Sequence, residues 1–180
     1  MNLMTLQTTL QQLVRGSYEV SPGDEPYIRA VAMSPHLTMV REVVRWWRAY
    51  GVGRFCVLTA TLLKRRGVFE ATISDFVRSE AITPYAEELG ELFLTYASRS
   101  SEPLLASVAQ FELALVRAKK GDRTQWTIAW PCDPHAVLLW LTAPPVADLK
   151  AAAGVYATIV SRSRPDMFEV VEYKAALESP

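Results

Sequence analysis

Apolar residues recur at steps of three and four along roughly the first 120 positions, and at steps of two in the last third of the chain. Leu3, Leu6, Leu10, Leu13 and Val14 set the first register, an amphipathic helix ending near Gly16. Ser17 to Ser34 reads as a loop-rich passage, with Pro22, Gly23 and Pro26 as breakers. Ser34 then caps a helix that has Pro35 at its first position and Leu37, Val40, Val43, Val44 and Trp47 as its inward stripe. Gly51 and Gly53 are expected to break it. Phe55, Leu58, Leu62 and Leu63 mark the next helix, which stops at Lys64-Arg65-Arg66-Gly67. Cations in a last turn, followed by glycine, complement the helix dipole, so the basic triplet reads as a stop signal rather than a phosphate site.

Three more helices follow. Val68 to Glu80 carries Phe69, Ile73, Phe76 and Val77 on one face. Thr83-Pro84 opens another, with Glu87 and Glu88 in its first turns and Leu89, Leu92, Phe93 and Tyr96 inward. Ser101-Glu102-Pro103 opens the last, with a stripe of Leu104, Leu105, Val108, Phe111, Leu115 and Val116. Short connections between such helices predict a bundle over residues 1–121, closed by Lys119-Lys120-Gly121-Asp122.

Residues 122–180 read as a small antiparallel sheet domain. Gln125 to Trp130 and Ala136 to Leu141 are short and rich in β-branched or aromatic residues, and Pro131-Cys132-Asp133-Pro134 separates them. Pro144-Pro145 stops the second run, and Val146 to Ala153 has room for one or two helical turns. Val155 to Ser161 and Met167 to Tyr173 flank Arg162-Ser163-Arg164-Pro165-Asp166 as a wide-turn hairpin. Alternation places Phe168, Val170 and Glu172 on one face of the last strand and Glu169, Val171 and Tyr173 on the other. The expected fold class is α+β, helices first and strands last.

Composition narrows the function classes. Lys plus Arg equals Asp plus Glu at 19 each, so the basic excess of a nucleic-acid binder is missing. No stretch reaches the roughly 20 apolar residues that span a bilayer. Met1 to Arg15 is polar and Gln-rich, unlike a secretory signal. Cys56 and Cys132 lack a CxxC partner, which predicts reduced thiols and a cytoplasmic location.

Reactive constellations are sparse. No GxGxxG, Walker or GxSxG pattern occurs. His36 follows Pro35 at a helix start, and His135 lies near Cys132 and Asp133 in a loop that two prolines stiffen against wrapping a metal. No catalytic residue, metal ligand or cofactor is assigned to this chain. Of the adjacent tryptophans, Trp47 continues the inward stripe and Trp46 has surface to spare. Trp46, Arg48 and Tyr50 are therefore the expected partner interface. An open edge of the last strand can accept an extended peptide as an added strand, with Glu169, Val171, Glu172 and Tyr173 as the contact set. Nearby Asp166 and Glu178 would favour a basic peptide; the same charges would equally protect a solvated edge.

Gly67 to Phe76 (Gly-Val-Phe-Glu-Ala-Thr-Ile-Ser-Asp-Phe) and Glu102 to Ala114, which follows a P-L-L-x-x-V/L-A-x-F/L-E-x-A pattern, carry a family resemblance. Over roughly residues 40 to 175 the chain resembles the partner subunits of iron-dependent enzymes that modify cysteine in ribosomally made peptides. The resemblance is to the MbnC family of methanobactin biosynthesis, and more distantly to TglI-like and HvfC/BufC-like partners. It implies a heterodimer with an MbnB-like TIM-barrel iron enzyme, which uses oxygen to convert a precursor-peptide cysteine to oxazolone and thioamide. It also implies that this chain holds the short basic leader of an MbnA-like precursor, with the iron in the other subunit. A similar partner in a metal-stress pathway is the alternative within the same class. A helical DNA-binding regulator and a free-standing enzyme built on Cys132, Asp133 and His135 are the alternatives from other classes.

Overall fold

The computed structural model describes residues 2–79, 86–144 and 148–173, and these form eight helices and a three-stranded sheet. The helices are α1 (Leu3–Arg15), α2 (Pro26–Ala32), α3 (Pro35–Phe55), α4 (Val57–Arg65), α5 (Phe69–Ser79), α6 (Ala86–Ala97), α7 (Pro103–Lys119) and α8 (Pro134–Thr142). The strands are β1 (Trp126–Cys132), β2 (Ala153–Val160) and β3 (Phe168–Tyr173), antiparallel in the order β1-β2-β3. The class is α+β with the helices mostly first, as the change of period predicts, although α8 lies between β1 and β2.

Local signals account for most boundaries. Asn2 caps α1 through a 2.8 Å bond from the Thr5 N–H, and Gly16, at φ 75°, ends it in the left-handed region. Ser34 caps α3 through the His36 N–H, and the Glu102 carboxylate caps α7 by accepting from the Leu104 and Leu105 N–H groups. Glu102 also pairs with Arg66 of the basic triplet, so that triplet serves the fold as well as the helix end. The Thr83-Pro84 helix start falls outside the described residues.

Four expectations are corrected. Pro26–Ala32 is a short helix inside the passage read as loop, with Pro26 at a first-turn position where its missing N–H costs nothing. Gly51 and Gly53 do not break α3, which runs 21 residues to Phe55. A Cβ at Gly51 would stand 3.1 Å from Leu89 Cδ2, and one at Gly90 would stand 3.1 Å from Phe55 Cβ. Two of these glycines thus let α3 and α6 approach closely. Residues 136–141 are helical, not a strand. Asp133 caps α8 through the His135 N–H at 2.9 Å and Pro134 starts it. A continuous apolar run has no period that separates helix from buried strand, and the cap decides. Finally, residues 148–152 are not helical and Ala153 begins β2; positions 145–147 lie outside the described residues.

α7 joins the two halves because it is apolar nearly all round. Ala109 and Leu113 pack in a core with Val52, Ile73, Phe76 and Phe93. Val108, Phe111 and Ala114 pack in a second core with Ile128, Trp130, Val137 and Val160. Phe111 meets Trp130 and Phe168 edge-on, with ring centroids 5.7 and 5.1 Å away. The Ser107 hydroxyl donates to the Ala129 carbonyl of β1 at 2.7 Å. The Glu102 to Ala114 segment is therefore, physically, the wall between two cores. On the far side, Arg65 of α4 stacks over Trp140 of α8 and donates to the Ala143 carbonyl. Among the described residues no helix is long and apolar enough to cross a membrane.

Candidate interaction surface

α3 is long and only Leu37 and Val52 along it are fully buried. Its inner side is carried by Leu37, Arg41, Val44, Arg48 and Val52, at steps of three and four. The inner stripe thus contains two arginines whose aliphatic stems occupy places that an apolar residue would normally take. One of them, Arg41, anchors the C-terminal end of α1, since its Nε and Nη2 donate to the Leu13 carbonyl at 2.9 and 2.6 Å.

The apolar residues that remain point outward. Met39, Val43, Trp46 and Tyr50 repeat at steps of four, three and four, and all are exposed. Trp46 and Trp47 are each 59 % exposed, so Trp47, expected in the core, stands in solvent beside its neighbour. Val40 and Val43, expected inward, are exposed too. Trp46 lies face to face with Tyr50 at 5.7 Å and 13° between planes, while Trp47 meets Trp46 edge-on at 4.9 Å. Arg54 reaches back over Tyr50 and donates to its hydroxyl at 3.2 Å. The result is a preassembled aromatic platform on one helix, with its rings held by one another rather than by the core. Such a platform offers area at little entropic cost to a protein partner.

The three predicted interface residues divide. Trp46 and Tyr50 stack on the outward face, but Arg48, two positions from each, lies about 200° round the helix. Arg48 is half-buried and borders the space between α3 and α1. It also shares with Tyr50, Trp47, Arg54 and Phe55 the border of a cavity of about 380 Å³ toward Leu89. The sequence reading missed Trp47 and Val43 because it assigned the apolar residues to the core and the arginines to solvent.

No family model, characterised protein or solved structure matches the chain.

The predicted peptide edge lies on β3, which among the described residues pairs with β2 alone. The register Val160↔Phe168, Thr158↔Val170 and Tyr156↔Glu172 puts Phe168, Val170 and Glu172 on the face toward α7. Glu169 and Val171 are on the opposite face. Arg164 of the hairpin turn pairs with Glu169 at 2.7 Å, which neutralises one of the two strand carboxylates. Glu172 is exposed. The Tyr173 side chain and all of Glu178 lie outside the described residues. Among the described residues the side of β3 away from β2 has no strand partner for its backbone donors and acceptors, and of its two carboxylates Glu169 is paired with Arg164 while Glu172 has no ion-pair partner.

Other candidate chemistry takes structural places. Asp133 caps α8, His135 is exposed, and Cys132 ends β1 in register with Ala153. His36 is exposed at the start of α3. Among the described residues no group of three or more His, Cys, Asp or Glu could hold a metal ion. Cys56 is fully buried, with its thiol donating to the Gly90 carbonyl at 3.4 Å.

Proposed function

We propose that this chain is a non-catalytic subunit that docks on a larger enzyme through α3 and holds a peptide along β3. The observation that supports this most is the stacked Trp46–Tyr50 pair with Trp47 against it, an aromatic surface left in solvent. Exposed aromatic clusters of this kind mark protein contacts, because covering them releases ordered water at small entropic cost.

On the family resemblance, the partner is an MbnB-like TIM-barrel enzyme whose iron converts a peptide cysteine to oxazolone and thioamide with oxygen. The complex is cytoplasmic. The leader of an MbnA-like precursor adds a strand to β3, where backbone bonds supply affinity and Glu172 attracts basic side chains. Glu169, already held by Arg164, contributes less than an equal carboxylate in solvent would. The chain supplies no reacting group. Its contribution is tethering, which raises the effective concentration of a flexible substrate at the partner's iron.

Co-expression with such an enzyme, followed by size exclusion and iron analysis, tests the reading. The two chains should elute together with iron in the larger one, and Trp46→Ala with Tyr50→Ala should separate them without unfolding this chain. Glu172→Lys should weaken a basic leader while leaving the heterodimer intact. Separate elution, with the enzyme fully active alone, would refute the proposal.

A further inference from the structure

On the side of α3 away from Trp46, two adjoining cavities of about 470 and 270 Å³ form one groove between α1, α3 and α5. They share Val14, Arg15, Val44 and Val77, so they are continuous. The floor is apolar, made by Leu10, Val14, Val44 and Val77. The rim is cationic: Arg15, Arg41, Arg45, Arg48 and Arg78 border the groove, against Glu42 as the sole bordering carboxylate among the described residues.

The arrangement is costly for a surface left to water alone. Asp75 pairs with Arg78 at 2.8 Å, and Arg41 is spent on the Leu13 carbonyl, whose partial negative charge does not neutralise it. Arg15 and Arg45 have no ion-pair partner among the described residues. Burial, and then the charge of Arg15, pull the Arg48 pKa below its ordinary value, so like charges crowd one another there. This concentration stands out in a chain whose net formal charge is zero.

We propose that the groove between α1, α3 and α5 is a docking site for an acidic segment of a partner protein. Apolar side chains of that segment rest on the valine floor, and its carboxylates meet the arginine rim. Guanidinium groups suit this task because each presents a planar pair of donors to a carboxylate. The apolar floor is what distinguishes a peptide from a nucleic acid, whose backbone would place phosphates, not methyl groups, along the groove. This goes beyond the reading above, since neither the Trp46 face nor the β3 edge takes part in it.

The experiment uses the whole chain and a fluorescein-labelled peptide with leucines at helical spacing and glutamates between them. A peptide with lysine for glutamate, a short DNA duplex and phosphatidylglycerol vesicles form the other arms. The acidic peptide should bind with an affinity that falls as salt rises, and the lysine peptide should not bind. Arg15→Glu with Arg45→Glu should weaken binding by about tenfold or more, while Trp46→Ala leaves it unchanged. Arg15→Gln with Arg45→Gln, which removes charge without reversing it, guards against misfolding and should give a smaller loss with an unaltered circular dichroism spectrum. Equal binding of both peptides, no loss in either arginine variant, or preference for the duplex or the vesicles would overturn the assignment.

Discussion

Glu112 of α7 accepts a 2.9 Å hydrogen bond on Oε2 from the backbone N–H of Thr59 in α4, 53 residues earlier in the chain. Its Oε1 accepts from the Leu58 N–H, also at 2.9 Å. Cys56, which precedes α4, has no side-chain capping bond, so two of the orphan donors at that helix start are satisfied by another helix. The carboxylate sits at the positive end of the α4 dipole and is buried. A residue that looks like a polar interruption in the α7 stripe is thus the joint between α4 and α7, and α7 in turn carries the sheet.

Removing that joint should be expensive. Glu112→Ala leaves the buried Thr59 N–H and the part-buried Leu58 N–H without this partner, together with a void, and should cost about 2–4 kcal/mol. Glu112→Gln keeps one acceptor but turns an amide N–H₂ toward a backbone donor, and should cost less, about 1–2 kcal/mol. Urea denaturation of the three proteins checks the order; an unchanged midpoint in Glu112→Ala would show that the cap is dispensable.

The same carboxyl group should leave a mark on the pH dependence of stability. Burial raises its pKa above the ordinary 4.5, and the backbone N–H bonds to it only partly oppose this. Between the unfolded and folded pKa values the native state holds the extra proton, so this group's contribution falls as pH rises through that window. Below pH 4.5 its contribution is fully present. The stability difference between the parent and Glu112→Gln, in which other groups cancel, should therefore be largest in acid and shrink above pH 4.5. A difference that grows with pH would reverse the sign and mean that the bonds from Leu58 and Thr59 outweigh burial.

The two glycines at the α3–α6 contact should respond differently to the same methyl group. At Gly51 the new Cβ meets the end of the Leu89 side chain, which can move aside. Alanine also favours helix over glycine by about 1 kcal/mol, so Gly51→Ala should be neutral or slightly stabilising. At Gly90 the Cβ meets the Phe55 Cβ, which moves only with its backbone, and the Cys56 sulfur at 3.6 Å. Gly90→Ala should therefore destabilise by about 1–3 kcal/mol despite the same helical gain. Thermal denaturation of both variants distinguishes this from a purely local propensity effect, under which both would rise.

Much of the fold could be read from the chain because caps and periods agreed. Gly16, Ser34, Glu102 and Gly67 each stand where their helices begin or end, and the Val155–Tyr173 alternation is a hairpin. Where reading failed, a tertiary fact outvoted a local one. Gly51 looks like a breaker, yet it is a contact point whose reason, Leu89, lies 38 positions away. The run Ala136 to Leu141 has no period, and the deciding signal, Asp133 ahead of Pro134, is locally indistinguishable from a turn. For the candidate surface, Trp46 and Tyr50 were legible because four residues apart on a helix means one face. Trp47 was not, because placing it outward required arginines on the inner side of α3. Only the contact between Arg41 and the Leu13 carbonyl makes that intelligible.

Cys56 and Cys132 should separate cleanly in their reactivity toward an alkylating reagent. A thiol reacts as its thiolate and only when the reagent can approach it. Cys56 fails on both counts: it is fully buried, and burial followed by the charge of Glu112 raises its pKa far above the ordinary thiol value. Cys132 is half-buried at the end of β1, and its pKa is raised by burial and then by Asp133. It should therefore react slowly but measurably. Iodoacetamide at about pH 8 should add one label to the folded chain, located at Cys132 by peptide mass spectrometry, and a second at Cys56 only in denaturant. Because Cys56 packs under Gly90 between α3 and α6, its labelling also reports opening of that contact. Gly90→Ala should accelerate it and Gly51→Ala should not. Equal labelling of both cysteines in the folded protein would mean that the core around Val52 and Leu89 is not closed.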